Sequence, residues 1–146
     1  MPVAWRTDYA IRLVYELARL GADVQESIGT VAERAEVPYD FARQIANRLA
    51  REGLLVSRRG AKGGFALARP AEQITLLDIF TAMDEKPTLS LCTHVDNACS
   101  RSEWCPAHAG VWEPLDVMIA DHLRASTIAG AVTRGIELGR EDIARS

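Results

Sequence analysis

A mainly α fold with a small β-hairpin is what the 146-residue sequence predicts, and three observations carry that reading. Apolar residues recur at helical spacing over much of the chain, from Tyr9 to Leu20, through Phe41, Ile45 and Leu49, and again from Val111 to Leu123. Two short β-prone runs, Leu54-Leu55-Val56-Ser57 and Phe65-Ala66-Leu67, flank a glycine-rich, basic tip. The hairpin directly follows two helices joined by a tight turn, an order that describes a winged helix-turn-helix. A longer helix near the C-terminus completes the plan.

Each element has its own local reason. Tyr9, Ala10, Leu13, Val14, Leu17 and Leu20 form one stripe, and Gly21 closes the helix. Thr30-Val31-Ala32-Glu33 has the form of a capping box, so a short second helix is expected to begin at Thr30. Pro38 suits the start of the third helix, whose apolar stripe is Phe41, Ile45 and Leu49, and Gly53 suits its end. Arg58-Arg59-Gly60-Ala61-Lys62-Gly63-Gly64 then forms the hairpin tip. Thr75-Leu76-Leu77-Asp78 is a second capping box, with Ile74 and Ile79 placed as a hydrophobic staple. Residues 86–106 lack periodicity and read as a functional loop. In the long helix that follows, Pro114 either kinks the rod or marks Glu113 as its boundary. A last helix runs from Thr127 to Leu138, with residues 140–146 expected to fray. The chain therefore divides into 1–85, a loop at 86–106, and a helical 107–146.

Composition bounds the function. With 48% hydrophobic and 25% charged residues, the chain can bury one core without disulfides. It has no apolar run of membrane-spanning length and no signal-peptide stretch after Met1, so a cytoplasmic protein without a membrane partner is expected. Nucleotide-binding glycine loops, Cys-x-x-Cys and catalytic carboxylate pairs are missing, which argues against an enzyme. The formal net charge is −3, but residues 30–70 hold eight basic and four acidic side chains while 71–146 hold six basic and twelve acidic. A basic middle between acidic flanks produces a local field suited to a polyanion.

That middle is the candidate DNA interface. Asp40, Arg43 and Gln44 lie on the N-terminal half of the third helix, where side chains enter a major groove, and Gln and Arg pair well with adenine and guanine. Arg58, Arg59 and Lys62 at the hairpin tip suit phosphates or a narrow minor groove. The plainer alternative is an ordinary solvated helix face beside a structural hairpin. The stripe Val111, Leu115, Met118 and Ile119 exceeds what so small a domain need expose, so pairing of two such helices into a homodimer is expected.

The three cysteines all fall in one loop, as Cys92-x6-Cys99-x5-Cys105, with His108 three residues beyond. Thiolates are soft ligands for an iron–sulfur cluster or for zinc, and spacing does not choose between them. A thiol redox switch is a further option.

Residues 1–140 resemble the IscR/NsrR family of dimeric winged-helix transcription regulators. The carrying segments are Thr7-Asp8-Tyr9-Ala10-Ile11-Arg12, the run from Gly53 to Leu67, Leu77-Asp78-Ile79-Phe80-Thr81-Ala82-Met83-Asp84, the cysteine loop, and Thr127-Ile128-Ala129. The resemblance implies a homodimer on palindromic double-stranded DNA operators, paired through the long C-terminal helix. It also implies an iron–sulfur cluster on Cys92, Cys99 and Cys105 that senses nitric oxide, redox state or cluster supply. In one branch an aspartate near the partner's N-terminus completes a 4Fe–4S site, and Asp8 matches it. In another a histidine after the third cysteine completes a 2Fe–2S site, and His108 matches that. The likeness of Thr7-Asp8-Tyr9-Ala10 to the nitric-oxide-responsive branch favours Asp8 and 4Fe–4S. A cluster-free or zinc-binding regulator of the same fold, responding to thiol oxidation or another ligand, is the alternative.

Overall fold

The computed structural model describes residues 3–94, 99–101 and 103–139. Residues 140–146, expected to fray, and part of the cysteine loop therefore lie outside the described residues.

The first three helices are α1 (Trp5–Arg19), α2 (Ile28–Ala35) and α3 (Tyr39–Arg51). Leu13, Val14 and Leu17 of α1, Val31 of α2, and Ile45 and Leu49 of α3 are buried together, each burial stabilising the fold by about 1.5–3 kcal/mol. The start of α2 differs from expectation. Ser27, in extended backbone, is the cap and accepts the Thr30 N–H at 3.2 Å, so Thr30 lies inside the helix. Extending the helix back to Ile28 lets that side chain pack against the core. Phe41 also differs. The small residues Ala42 and Ala46 take the buried positions of α3, while Phe41 is exposed and stacks with Trp5 and Tyr9 at centroid distances of 4.7 and 6.3 Å. The end of α3 follows expectation: Gly53 adopts φ +77° and Leu54 N–H reaches back to Leu49 C=O at 2.9 Å.

Strands β1 (Leu55–Arg58) and β2 (Gly64–Leu67) pair antiparallel, with Leu55 opposite Leu67 and Arg58 opposite Gly64. A third segment joins them. Glu26 and Phe65 exchange N–H···O=C bonds of 3.0 and 2.9 Å, which anchors the hairpin to the segment before α2. That contact requires Gly64, since a Cβ there would stand 2.2 Å from the Glu26 carbonyl oxygen.

A 3-10 turn at Ala71–Gln73 leads to α4 (Leu76–Ala82), whose expected capping box is complete. Thr75 Oγ1 accepts the Asp78 N–H at 3.1 Å, and Asp78 Oδ2 accepts the Thr75 N–H at 2.8 Å. Ile74 and Ile79 are both fully buried beside it. The cysteine loop contains a short helical segment, α5 (Leu91–His94). After it, a π-helical turn at His108–Trp112 runs directly into α6 (Glu113–Ala125), with Pro114 in the first α-turn. The wider π turn precedes the residue that lacks an amide hydrogen, so the rod neither breaks nor needs a separate start. Finally α7 (Ile128–Glu137), capped by Thr127, packs on α1. Among the described residues no helix is long and apolar enough to cross a membrane.

Candidate functional site

Helix α3 presents Asp40, Arg43 and Gln44 to solvent at its N-terminal half. At about 100° per residue, Asp40, Asn47 and Arg51 fall within about 40° of one another, opposite the buried Ile45 and Leu49. Asn47 and Arg51 are exposed and share that polar face with the three residues expected to meet DNA. The buried pair Ala42 and Ala46 shifts the core stripe away from Phe41. Arg48 behaves otherwise: its Nε donates to the Ala82 carbonyl at 2.6 Å, tying α3 to the end of α4.

The hairpin supplies the other half of this surface. Arg58 ends β1, Arg59 and Lys62 lie in the tip, and all three are exposed. The Gln25 side-chain amide donates to the Lys62 carbonyl, a second tether of the tip to the segment before α2. Six polar side chains assigned from sequence thus stand exposed on two consecutive elements.

The cysteine loop is pinned at its start to α6. Asp116 accepts the Leu89 N–H and the Thr93 hydroxyl, both at 2.8 Å, and Ser90 Oγ accepts the Cys92 N–H at 3.1 Å. Cys92, Cys99 and Cys105 are all half-buried. Backbone N–H groups of His108 and then Ala107 lower the Cys105 thiol below its ordinary pKa, with burial opposing them and Arg101 adding a smaller lowering effect. Such a cradle favours thiolate, the ligating form.

Among the described residues, no three His, Cys, Asp or Glu side chains come together as a metal site. Asp8 lies in the first turn of α1, where a carboxylate complements the helix dipole, and pairs with Arg12 at 2.9 Å. His108 Nδ1 is buried and has no hydrogen-bond partner among the described residues. The donor chemistry fits a soft metal or iron–sulfur group: three thiols in one loop, one of them held toward thiolate.

Helix α6 carries no buried residue, and Val117 and Met118 are 53% and 63% exposed. Leu115 and Ile119 are half-buried, whereas Val117 and Met118 form exposed apolar surface suited to association.

Known proteins share this fold. The Rrf2 profile, described as an iron-dependent transcriptional regulator, matches residues 4–134. The HTH-type transcriptional regulator IscR of Erwinia tasmaniensis is 28% identical over 124 residues, covering 85% of this chain and 74% of that protein. The structure of T. potens IscR superposes with a TM-score of 0.73 at 25% identity, covering 94% of this chain and 90% of the other. CymR, the global cysteine regulator of B. subtilis, shares the fold with a TM-score of 0.75 at 19% identity, covering 92% and 98%.

Proposed function

Because the chain belongs to the Rrf2 family of transcriptional regulators, DNA-binding proteins rather than enzymes, we propose that it is a homodimeric operator-binding regulator controlled by an iron–sulfur cluster. The observation that carries the DNA half is the exposed α3 face beside an exposed basic wing tip. In that role Asp40, Arg43 and Gln44 read bases in the major groove, while Arg58, Arg59 and Lys62 meet phosphates or the minor groove. Pairing through α6 sets two such units on half-sites about 34 Å apart.

Cys92, Cys99 and Cys105 would hold the cluster, with a fourth ligand from Asp8 of a second subunit. When bound, the cluster supplies a reactive, redox-sensitive centre. The chain's own residues transmit its state. Asp116 fastens the loop to α6, and Ala4 N–H donates at 2.9 Å to Glu85 Oε1, fastening the start of α1 beside the loop. Arg48 joins the reading helix to the same turn after α4. A conformer that suits both the ligated loop and DNA makes each strengthen the other's binding.

A second reading has an observation in its favour. The buried, unpartnered Nδ1 of His108 beside Cys105 supports His108 as the fourth ligand and a 2Fe–2S site, whereas the Asp8 carboxylate already has Arg12. Anaerobic purification with iron, sulfide and zinc analysis and an absorption spectrum, repeated on Asp8→Ala and His108→Ala, separates the two. The expected result is iron with acid-labile sulfide, and operator affinity that changes when the cluster is removed at constant salt. Equal affinity with and without the cluster, or zinc alone, would overturn the proposal.

A further inference from the structure

We propose that the cleft between the root of the wing and α7 is a binding site for a small zwitterionic α-amino acid. The cleft has a volume of about 430 Å³, within the range of small-molecule sites. Three elements form it: the C-terminal end of α1 with the loop after it, the segment leaving β2, and one face of α7. It lies away from the cysteine loop and from the reading face of α3, and neither proposed role uses it.

The chemistry of its lining selects the ligand. Arg69 contributes a guanidinium whose Nη2 is held by Asp78 at 2.9 Å, so the group is fixed in place. The side chain is 39% exposed at the cleft, so the guanidinium N–H groups that Asp78 does not use can meet a ligand carboxylate. Asp23 and Glu72 are both exposed at the same cleft. Asp23 has a left-handed backbone of φ +63°, two residues after Gly21 at φ +101°. A ligand bearing only a carboxylate would meet these two like charges. One bearing only an amine would leave the Arg69 N–H without an acceptor. A molecule with both groups answers both.

Apart from Thr133, whose hydroxyl donates to the Ala129 carbonyl at 3.1 Å, the rest of the wall is small and apolar, with Ala18, Leu67, Pro70 and Val132 lining the space. This accepts a short branched aliphatic side chain and offers no partner to a long polar one. An occupant would bridge the segment that leaves the wing to α7, and so hold the wing root against the helical core.

The test uses the full chain, isotopically labelled, and amide chemical shifts during titration with L-valine. The expected result is saturable shifts at millimolar L-valine, confined to residues 18–23, 67–72 and 129–133. Isovalerate, which lacks the ammonium, and isobutylamine, which lacks the carboxylate, should each bind at least about tenfold more weakly, as the loss of one charge-assisted contact requires. Ala129→Leu fills the cleft from α7 and should abolish the shifts. Arg69→Lys removes the planar guanidinium donors while keeping a cation for Asp78, and should weaken L-valine about tenfold without altering isobutylamine. Absence of saturable shifts in the wild-type chain, shifts spread evenly over the surface, or isovalerate binding as tightly as L-valine would each overturn the assignment. DNA binding does not enter these readouts, so they stand or fall apart from the regulatory role.

Discussion

Substituting Gly64 by alanine tests how the wing is held. The added Cβ would stand 2.2 Å from the Glu26 carbonyl oxygen and 2.9 Å from the Ser27 nitrogen, both backbone atoms that no side-chain rotation can move aside. The strand must therefore part from Glu26, and the reciprocal bonds of 3.0 and 2.9 Å with Phe65 are lost. At about 0.5–1.5 kcal/mol per net hydrogen bond, the cost is about 1–3 kcal/mol. For a chain of this size that corresponds to a fall in Tm of about 2–12 °C. A functional loss accompanies it: Arg58, Arg59 and Lys62 lose their fixed position, so the slope of log K against log salt should shrink by up to about three for each DNA-bound subunit. The assays are thermal or urea unfolding and operator binding at several salt concentrations. Gly110→Ala is the control, because nothing lies within 4 Å of its Cβ and its φ is not in the positive region. It should be neutral or stabilising by up to about 1 kcal/mol. Were Gly64→Ala as stable as wild type with an unchanged salt slope, the Glu26–Phe65 pairing would not be what holds the wing.

Further outcomes are expected. Arg59→Ala should weaken binding across many DNA sequences and lower the salt slope by about one, whereas Arg43→Ala should relax preference at one base position at a cost of about 1–3 kcal/mol; selection from randomised operators distinguishes these patterns. Arg48→Ala should lower unfolding stability by about 1.5–3 kcal/mol, through its lost bond to the Ala82 carbonyl, and leave base preference unchanged in the same selection. Met118→Glu places a charge on the uncovered face of α6 and should yield monomers in analytical ultracentrifugation. In metal-free protein, the pH midpoint for alkylation of Cys105 should lie below that of a free thiol, since the His108 and Ala107 N–H groups stabilise its thiolate; peptide mapping across a pH series reads it directly.

Much of this architecture was legible because its signals are local. The Thr75–Asp78 capping box, the glycine after α3 and the two short apolar runs each act through neighbours in sequence, and all appear as expected. Features that arise from distant packing were not legible. The Glu26–Phe65 bridge spans a single residue pair and leaves no strand pattern, with Gly64 its only trace. Ser27 and Thr30 can both cap a helix, and the buried side of Ile28 decides between them. Phe41 fits a helical stripe, but Trp5 and Tyr9 draw it to the surface while alanines fill the core. Arg48 looks like one more cation on a basic helix until the Ala82 carbonyl is found beside it. The cysteines were clear as a cluster in sequence, yet the choice between Asp8 and His108 depends on contacts that no spacing encodes.

The π turn at His108–Trp112 gives the spacing between Cys105 and α6 a further meaning. Ala109 N–H bonds to the Cys105 carbonyl at 3.1 Å, so the third thiol sits at the head of a helical rod that continues unbroken into α6. Angular phase along such a rod is set by residue count. Removing one residue from the π turn would restore ordinary α winding and swing Cys105 about 100° around the axis relative to Val117 and Met118. The bulge thus works as a clocking device, fixing the direction in which the thiol points relative to the exposed Val117 and Met118 of α6.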